Sequence, residues 1–348
     1  MLPVHRARPI VLSLALLLAA CGGGRSPSQP LGLPENVWTW VDVPGAICSD
    51  GSPTGLAVNP GSGDTLVLFL NGGGACWDPV TCGAGLAQGG PYGQAQFQSE
   101  LASHGPGSIV DRTVANGIYG AGATLVFLPY CTGDVHWGKS TNDYPGVRTW
   151  HHAGQPNLAA DVSWLAARIP SPARLVVSGS SGGGYGSLLA HDLARTTWPS
   201  AKGYLVDDAG PPLVGNDGPA AERTAWIASW RLDLTLLPLC TACADDLSRV
   251  LDTLASKYPG DRIALVSSRQ DSVIRSFLLQ TPSGFESALL QLVDERIAPH
   301  PNARAFLVDG ADHALLRRPG SYSAGGVALP SWLGQMVNDD PAWSTQGR

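Results

Sequence analysis

The chain has 348 residues, with 22 Lys and Arg against 28 Asp and Glu, and only 14% of it is charged. A weakly acidic balance with scattered charges argues against a nucleic-acid partner, and a 44% hydrophobic share argues against a disordered chain. The 43 glycines and 28 prolines point instead to a loop-rich domain over a buried sheet.

In chain order, His5, Arg6 and Arg8 precede an uncharged run from Ile10 to Ala20 that stops at Cys21. A permanent span needs ~20 apolar residues, so residues 1–20 read as an export leader. Leu18-Ala19-Ala20-Cys21 looks like a bacterial lipobox, with Cys21 acylated as the new first residue; an ordinary signal peptide cut nearby is the alternative. Residues 21–36, rich in Gly, Ser and Pro, make a flexible tether. The expected location is therefore the bacterial cell envelope, lipid-anchored or secreted, with membrane contact only through the anchor. Losing Arg6 and Arg8 with the leader leaves 20 basic against 28 acidic side chains, a charge of −8. Residues 37–348 are long enough for one large domain.

Two early strands are expected at Val37 to Val43 and Gly55 to Asn59, and the turn residues Pro60 to Asp64 follow. Runs rich in Val, Leu, Ile and Phe then mark core strands at Thr65 to Leu70, Ala123 to Leu128, Arg174 to Ser178, Gly203 to Val206, Arg262 to Ser267 and Arg304 to Val308. Helical patterns cover Leu158 to Arg168, Gly183 to Arg195, Ala220 to Trp230, Asp245 to Lys257, Phe285 to Ile297 and Pro330 to Val337. The alternation predicts an α/β fold with a mostly parallel central sheet and helices on both faces. The stretch from Asp78 to Gly122 has weak periodicity and many glycines, and reads as pocket wall. Working groups in such a sheet gather beyond the carboxyl ends of the strands.

Besides Cys21 there are six cysteines, an even number that reads as disulfides in an exported chain. Cys76 and Cys82 bracket a short loop and Cys240 and Cys243 form a C-x-x-C, which would leave Cys48 with Cys131; spacing alone does not settle the pairing. Zinc and dithiol redox chemistry are rivals for the C-x-x-C, but no second ligand pair accompanies it.

Arg174 to Ala190 runs from an apolar strand through Gly179-Ser180-Ser181-Gly182-Gly183 into a helix, the layout of a nucleophile elbow. Ser181 is the candidate nucleophile, because centring the turn on Ser180 would put Ser178 at a position that needs glycine. A serine hydroxyl requires an imidazole to take its proton and a carboxylate to hold the imidazole. The fold's chain order is Ser, acid, His. Asp271 follows the strand 262–267 and His313 lies past the strand 304–308, so both fall in order. Asp207, Asp208, Asp309 and Asp312 are rival acids. Backbone donors for an oxyanion are expected from the Gly-rich run after the strand 65–70, Asn71-Gly72-Gly73-Gly74, together with the amide of Gly182, and no metal or cofactor is required. Trp77, Trp137 and Tyr185 are candidates for a substrate pocket, whereas Trp226 and Trp230 have the spacing of packing residues. His136, His151 and His152 read by default as solvated loop histidines.

These motifs resemble the pectin acetylesterase family. Cys48-Ser49-Asp50-Gly51-Ser52-Pro53, Leu70 to Cys76, Tyr130-Cys131-Thr132-Gly133, Gly179 to Gly183, Asp208-Ala209-Gly210 and Asp271-Ser272 all have counterparts there, over nearly the whole mature domain. The resemblance implies an α/β-hydrolase-like fold, a triad of Ser181, Asp271 and His313, oxyanion donors on Gly73, Gly74 and Gly182, and disulfides Cys48–Cys131 and Cys76–Cys82. The sequence departs from the family pattern at Asn71, Ala75, Thr132 and Ala314. The expected activity is ester hydrolysis through an acyl-enzyme, on a small-molecule or carbohydrate ester carrying a short acyl group. An envelope peptidase or amidase with the same triad, and a non-catalytic binding module on the same scaffold, are the alternatives.

Overall fold

The computed structural model describes residues 31–213 and 220–348. The leader, Cys21 and the first part of the tether lie outside the described residues. Leu31 and Leu33 already pack against the core, so the domain's first contacts precede Val37.

One sheet of eight strands forms the centre: β1 (Thr39–Ile47), β2 (Pro53–Asn59), β3 (Thr65–Leu70), β4 (Thr124–Leu128), β7 (Arg174–Ser180), β8 (Lys202–Asp208), β9 (Arg262–Ser268) and β10 (Ala303–Val308). Their spatial order is β1-β2-β4-β3-β7-β8-β9-β10. Every pairing from β4 through to β10 is parallel, and β2 runs antiparallel to both β1 and β4. All residues of β3 and β4 are buried, which is why those segments read as unbroken apolar runs: both faces of the sheet are covered. Two further strands, β5 (Ser140–Tyr144) and β6 (Arg148–His152), form a separate hairpin that the sequence reading missed.

On one face, Val67, Phe69, Phe127, Val176 and Phe306 pack under α2 (Gln94–His104), α3 (Arg112–Tyr119) and α10 (Leu329–Val337). On the other, Leu68, Leu70, Val177, Leu205 and Leu265 pack under α4 (Gly154–Ala166), α5 (Gly182–Thr197), α7 (Arg249–Lys257) and α9 (Pro282–Leu292). Alternate residues of one strand thus serve opposite layers. The expected helix Phe285 to Ile297 is α9 followed by a π-helical turn, Val293–Ile297.

The stretch expected to be irregular pocket wall contains three helices: α1 (Pro79–Gly83), α2 and α3. Asp78 caps α1 by accepting from Thr81 N at 2.7 Å. Asp111 caps α3 by accepting from Thr113 N at 2.8 Å. Cap residues of this kind satisfy amides that a first helical turn leaves unpaired.

From β3 the chain crosses to β4 on one side and then returns to β7 on the other. This reversal is a topological switch point, where a crevice opens beyond the strand ends. Leu70 is in register with Gly179 there, so the Gly-rich loop after β3 and the elbow after β7 emerge side by side.

Candidate active site

Ser181 stands between β7 and α5 with φ 60° and ψ −123°. That backbone is strongly disfavoured for a residue with a side chain and persists only when its surroundings over-determine it. Here they do. A Cβ on Gly179 would lie 2.0 Å from the Gly183 carbonyl oxygen, and one on Gly183 would lie 2.0 Å from that of Leu70. Only glycines allow strand, turn and helix to approach this closely. Ser181 N donates to Asp208 O at 2.8 Å. Ser180, the rival, is buried in β7 and its Oγ donates to Asp208 Oδ2 at 2.7 Å.

Asp271 and His313 meet although 42 residues separate them: His313 Nδ1 lies 2.8 Å from Asp271 Oδ2. Asp271 is fully buried and caps α8 (Ser272–Phe277), its Oδ1 accepting from Val273 N at 2.9 Å and Ile274 N at 3.0 Å. One carboxylate oxygen is thereby pinned and the other is aimed at the ring. With Nδ1–H donating to Asp271, Nε2 is left as the acceptor. Ser272 N and Oγ both donate to Ala311 O, at 3.0 and 2.9 Å, lacing the acid's loop to the histidine's. Ser181 and His313 line one cleft of about 280 Å³, together with Gly72, Gly73 and Gly74.

Three of the four rival acids are engaged elsewhere. Asp309 pairs with Arg269 at 3.3 Å, and Asp312 accepts from Tyr322 OH at 3.2 Å. Asp207 is buried beneath the elbow, and burial holds its carboxyl well above the ordinary range. Asp208 is also fully buried, and burial pushes its carboxyl up to about 6. Its Oδ1 accepts from Leu315 N and its Oδ2 from Leu316 N, each at 3.0 Å. With Ser180 Oγ on Oδ2, it clamps the end of β7 to the segment just after His313. That bracing role has no signature in sequence, because its three partners come from two distant segments.

The Gly-rich loop is held from behind. Tyr130 OH donates to Gly74 O at 2.9 Å and accepts from Val135 N at 2.8 Å. The His136 Nε2 sits 2.9 Å from Asn71 O. His136 is buried, and desolvation holds its imidazole down at about 4, so near neutrality it is an uncharged donor to that carbonyl. His152 is likewise buried, held down at about 3 by desolvation, between Thr132 O at 3.1 Å and Tyr144 OH at 2.9 Å. Neither is the solvated loop histidine expected from sequence: His136 is packed against Tyr130 and the glycines Gly154 and Gly186, and His152 ends β6 against Trp150 and Trp230. His151 alone is partly open, its Nδ1 3.0 Å from Thr141 Oγ1. The loop glycines expected to donate, Gly73 and Gly74, and Gly182 at the start of α5 are neighbours: a Cβ on Gly182 would lie 3.3 Å from Gly74 O. The positive end of a 16-residue helix faces the same point.

Beside Ser181 and Gly182 an apolar cavity of about 50 Å³ opens, walled by Trp77, Trp137, Tyr185, Trp226 and Trp230. The last two do pack as their spacing predicts, with rings stacked at 5.8 Å and 7°, yet they also face this cavity. Trp230 Nε1 donates to Cys76 O at 2.8 Å and Trp137 Nε1 to Tyr185 O at 2.9 Å, so these two indoles have their polar edges satisfied and their faces free to line the space, whereas the buried Trp226 Nε1 has no hydrogen-bond partner among the described residues.

Three disulfides are formed: Cys48–Cys131, Cys76–Cys82 and Cys240–Cys243. The last removes the C-x-x-C from the zinc reading. Cys76–Cys82 anchors the loop that carries Trp77. A model of the family described as Pectinacetylesterase matches residues 37–224, a stretch holding the Gly-rich loop, the elbow and two of the disulfides. That match covers more than half of the chain, which therefore belongs to the pectinacetylesterase family of carboxylic-ester hydrolases.

Proposed function

We propose that this protein is an exported serine esterase that removes short acyl groups, acetyl above all, from a carbohydrate through an acyl-enzyme at Ser181. The observation that carries the reading is the strained serine of the elbow opening into one cleft with an imidazole already held by a buried carboxylate. Ser181 Oγ attacks the ester carbonyl carbon while His313 Nε2 takes its proton. Asp271 orients the ring and balances the imidazolium. The carbonyl oxygen becomes an oxyanion facing the amides of Gly73, Gly74 and Gly182. Collapse breaks the carbon–oxygen bond, and the alcohol leaves with the proton from His313. Water, deprotonated by the same ring, then attacks the acyl-enzyme and frees the acid and Ser181.

A water-sized group needs about 10–15 Å³ of such space, so the tryptophan-walled cavity of about 50 Å³ fits an acyl chain of a few atoms. Export and lipid anchoring rest on the leader and on Cys21, and three disulfides suit an oxidising compartment.

Ser181→Ala should lower p-nitrophenyl acetate turnover by about 10⁴-fold or more and abolish labelling by a fluorophosphonate. In the wild type, turnover should fall steeply from acetate to octanoate. A fully active Ser181→Ala variant would refute the assignment.

A further inference from the structure

The cleft at Ser181 does not end at the triad. A second hollow of about 470 Å³ continues it, and Gln88 and Glu100 line both. Its floor is a polar stripe of α2: Gln96, Ser99, Glu100 and Ser103 recur at helical spacing on one side. From Gln96 to Ser103 the helix rises by about 10 Å, longer than a single pyranose ring. The opposite wall is the loop Gly89–Tyr92. We propose that this groove binds an uncharged glycan chain, the alcohol side of the ester, over more than one sugar unit. The inference rests on the esterase reading above and extends it to the class of alcohol.

The asymmetry of the two sides of Ser181 supports it. The acyl side is small and walled by indoles, whereas the groove is several times larger and offers amides and hydroxyls, the partners that sugar hydroxyls need. Charge sets the class. Among the described residues, Glu100 and Arg317 are the only Asp, Glu, Lys or Arg side chains lining the cleft and groove, and they lie 3.7 Å apart. Arg148 does not line the groove: its guanidinium donates to Gly89 O at 2.6 Å and Ser49 Oγ at 2.8 Å. The His104 ring, its Nε2 3.5 Å from Glu100 Oε1, keeps the Glu100 carboxyl below its ordinary range. A chain with a carboxylate on each unit would pass this anion, and the one cation of the lining, Arg317, already faces Glu100 at the triad end, so the α2 stripe offers a uronate no cation.

The test compares acetylated xylo-oligosaccharides of one to four units with partly acetylated oligogalacturonates of the same lengths, each rate divided by that of the same enzyme on p-nitrophenyl acetate. For the neutral series this ratio of kcat/KM values should rise by about tenfold or more from one to four units. The uronates should show a smaller rise. Ser99→Trp and Ser103→Trp, on the exposed face of α2, should each flatten the neutral series. A flat wild-type profile, a steeper profile on the uronates, or a rise that survives both variants would overturn the proposal. Failure of the esterase reading is distinct, since it would remove p-nitrophenyl acetate turnover itself.

Discussion

Asp208 shows how much of the site depends on a residue outside the proposed triad. Its carboxylate accepts three hydrogen bonds, from Ser180 Oγ and the amides of Leu315 and Leu316. An amide in its place offers one acceptor oxygen and cannot satisfy all three. Each hydrogen bond to a charged group is worth about 1.5–3 kcal/mol. Asp208→Asn should therefore loosen the segment that carries His313 and lower kcat by roughly 10–100-fold, with KM little changed. The pH dependence tests the same point. Burial pushes this carboxyl up to about 6, so below that pH it carries a proton and loses acceptor capacity. Its neighbours are Asp207, Tyr119, Tyr322 and His313. Wild-type turnover should lose activity through pH 6 partly for this reason, and the Asn variant should lack that component. A variant with wild-type kcat and pH profile would show that the clamp is dispensable.

At the scale of the element, α4 holds a buried carboxyl, Asp161, that burial raises well above the ordinary range, and its Oδ1 has no hydrogen-bond partner. In the unfolded chain the same group ionises near pH 3.9. The folded state thus binds an extra proton at higher pH, and stability falls as pH rises above about 4. Asp161→Asn keeps the shape and removes that cost. It should raise Tm at pH 7, by roughly 2–4 °C per kcal/mol recovered, and the gain should vanish near pH 4. An equal Tm at pH 7 would contradict the argument. Elements also differ in how legible they are. The core strands announce themselves as unbroken apolar runs, because both faces of the sheet are covered, and the core helices by the period that one buried face imposes. In α2 the buried side chains are Phe97 and His104, and its polar stripe faces a groove. With so little apolar surface to bury, it left no pattern in the sequence, and a helix was read as irregular wall.

At the scale of the whole molecule, the switch point between β3 and β7 brings the Gly-rich loop and the elbow together, while the ends of β9 and β10 bring in Asp271 and His313. The Cys48–Cys131 bridge fastens the turn after β1 to the loop after β4, across 83 residues. Closing so long a loop in the unfolded state is worth about 4.5 kcal/mol in the chain-entropy view. Replacing both cysteines with serine should lower the guanidinium midpoint accordingly. The corresponding loss for Cys76–Cys82, with a separation of 6, should be about 2 kcal/mol. Equal losses, or none, would show that loop length does not set the contribution.

The sequence by itself determined the strands of the central sheet and most of the helices that cover it, the elbow at Ser181, and the order in which Asp271 and His313 follow it, because apolar runs and glycine sterics are written within short windows and chain order is the sequence itself. Tertiary structure alone decided that Asp208 braces the histidine segment, that His136 and His152 are buried and neutral, and that Trp226 and Trp230 share a wall with Trp77. It also decided that α2 continues the cleft into a groove. Each of these depends on which distant segments the sheet order makes neighbours, and a side chain's burial, charge state and partner are properties of that neighbourhood rather than of its own stretch of chain.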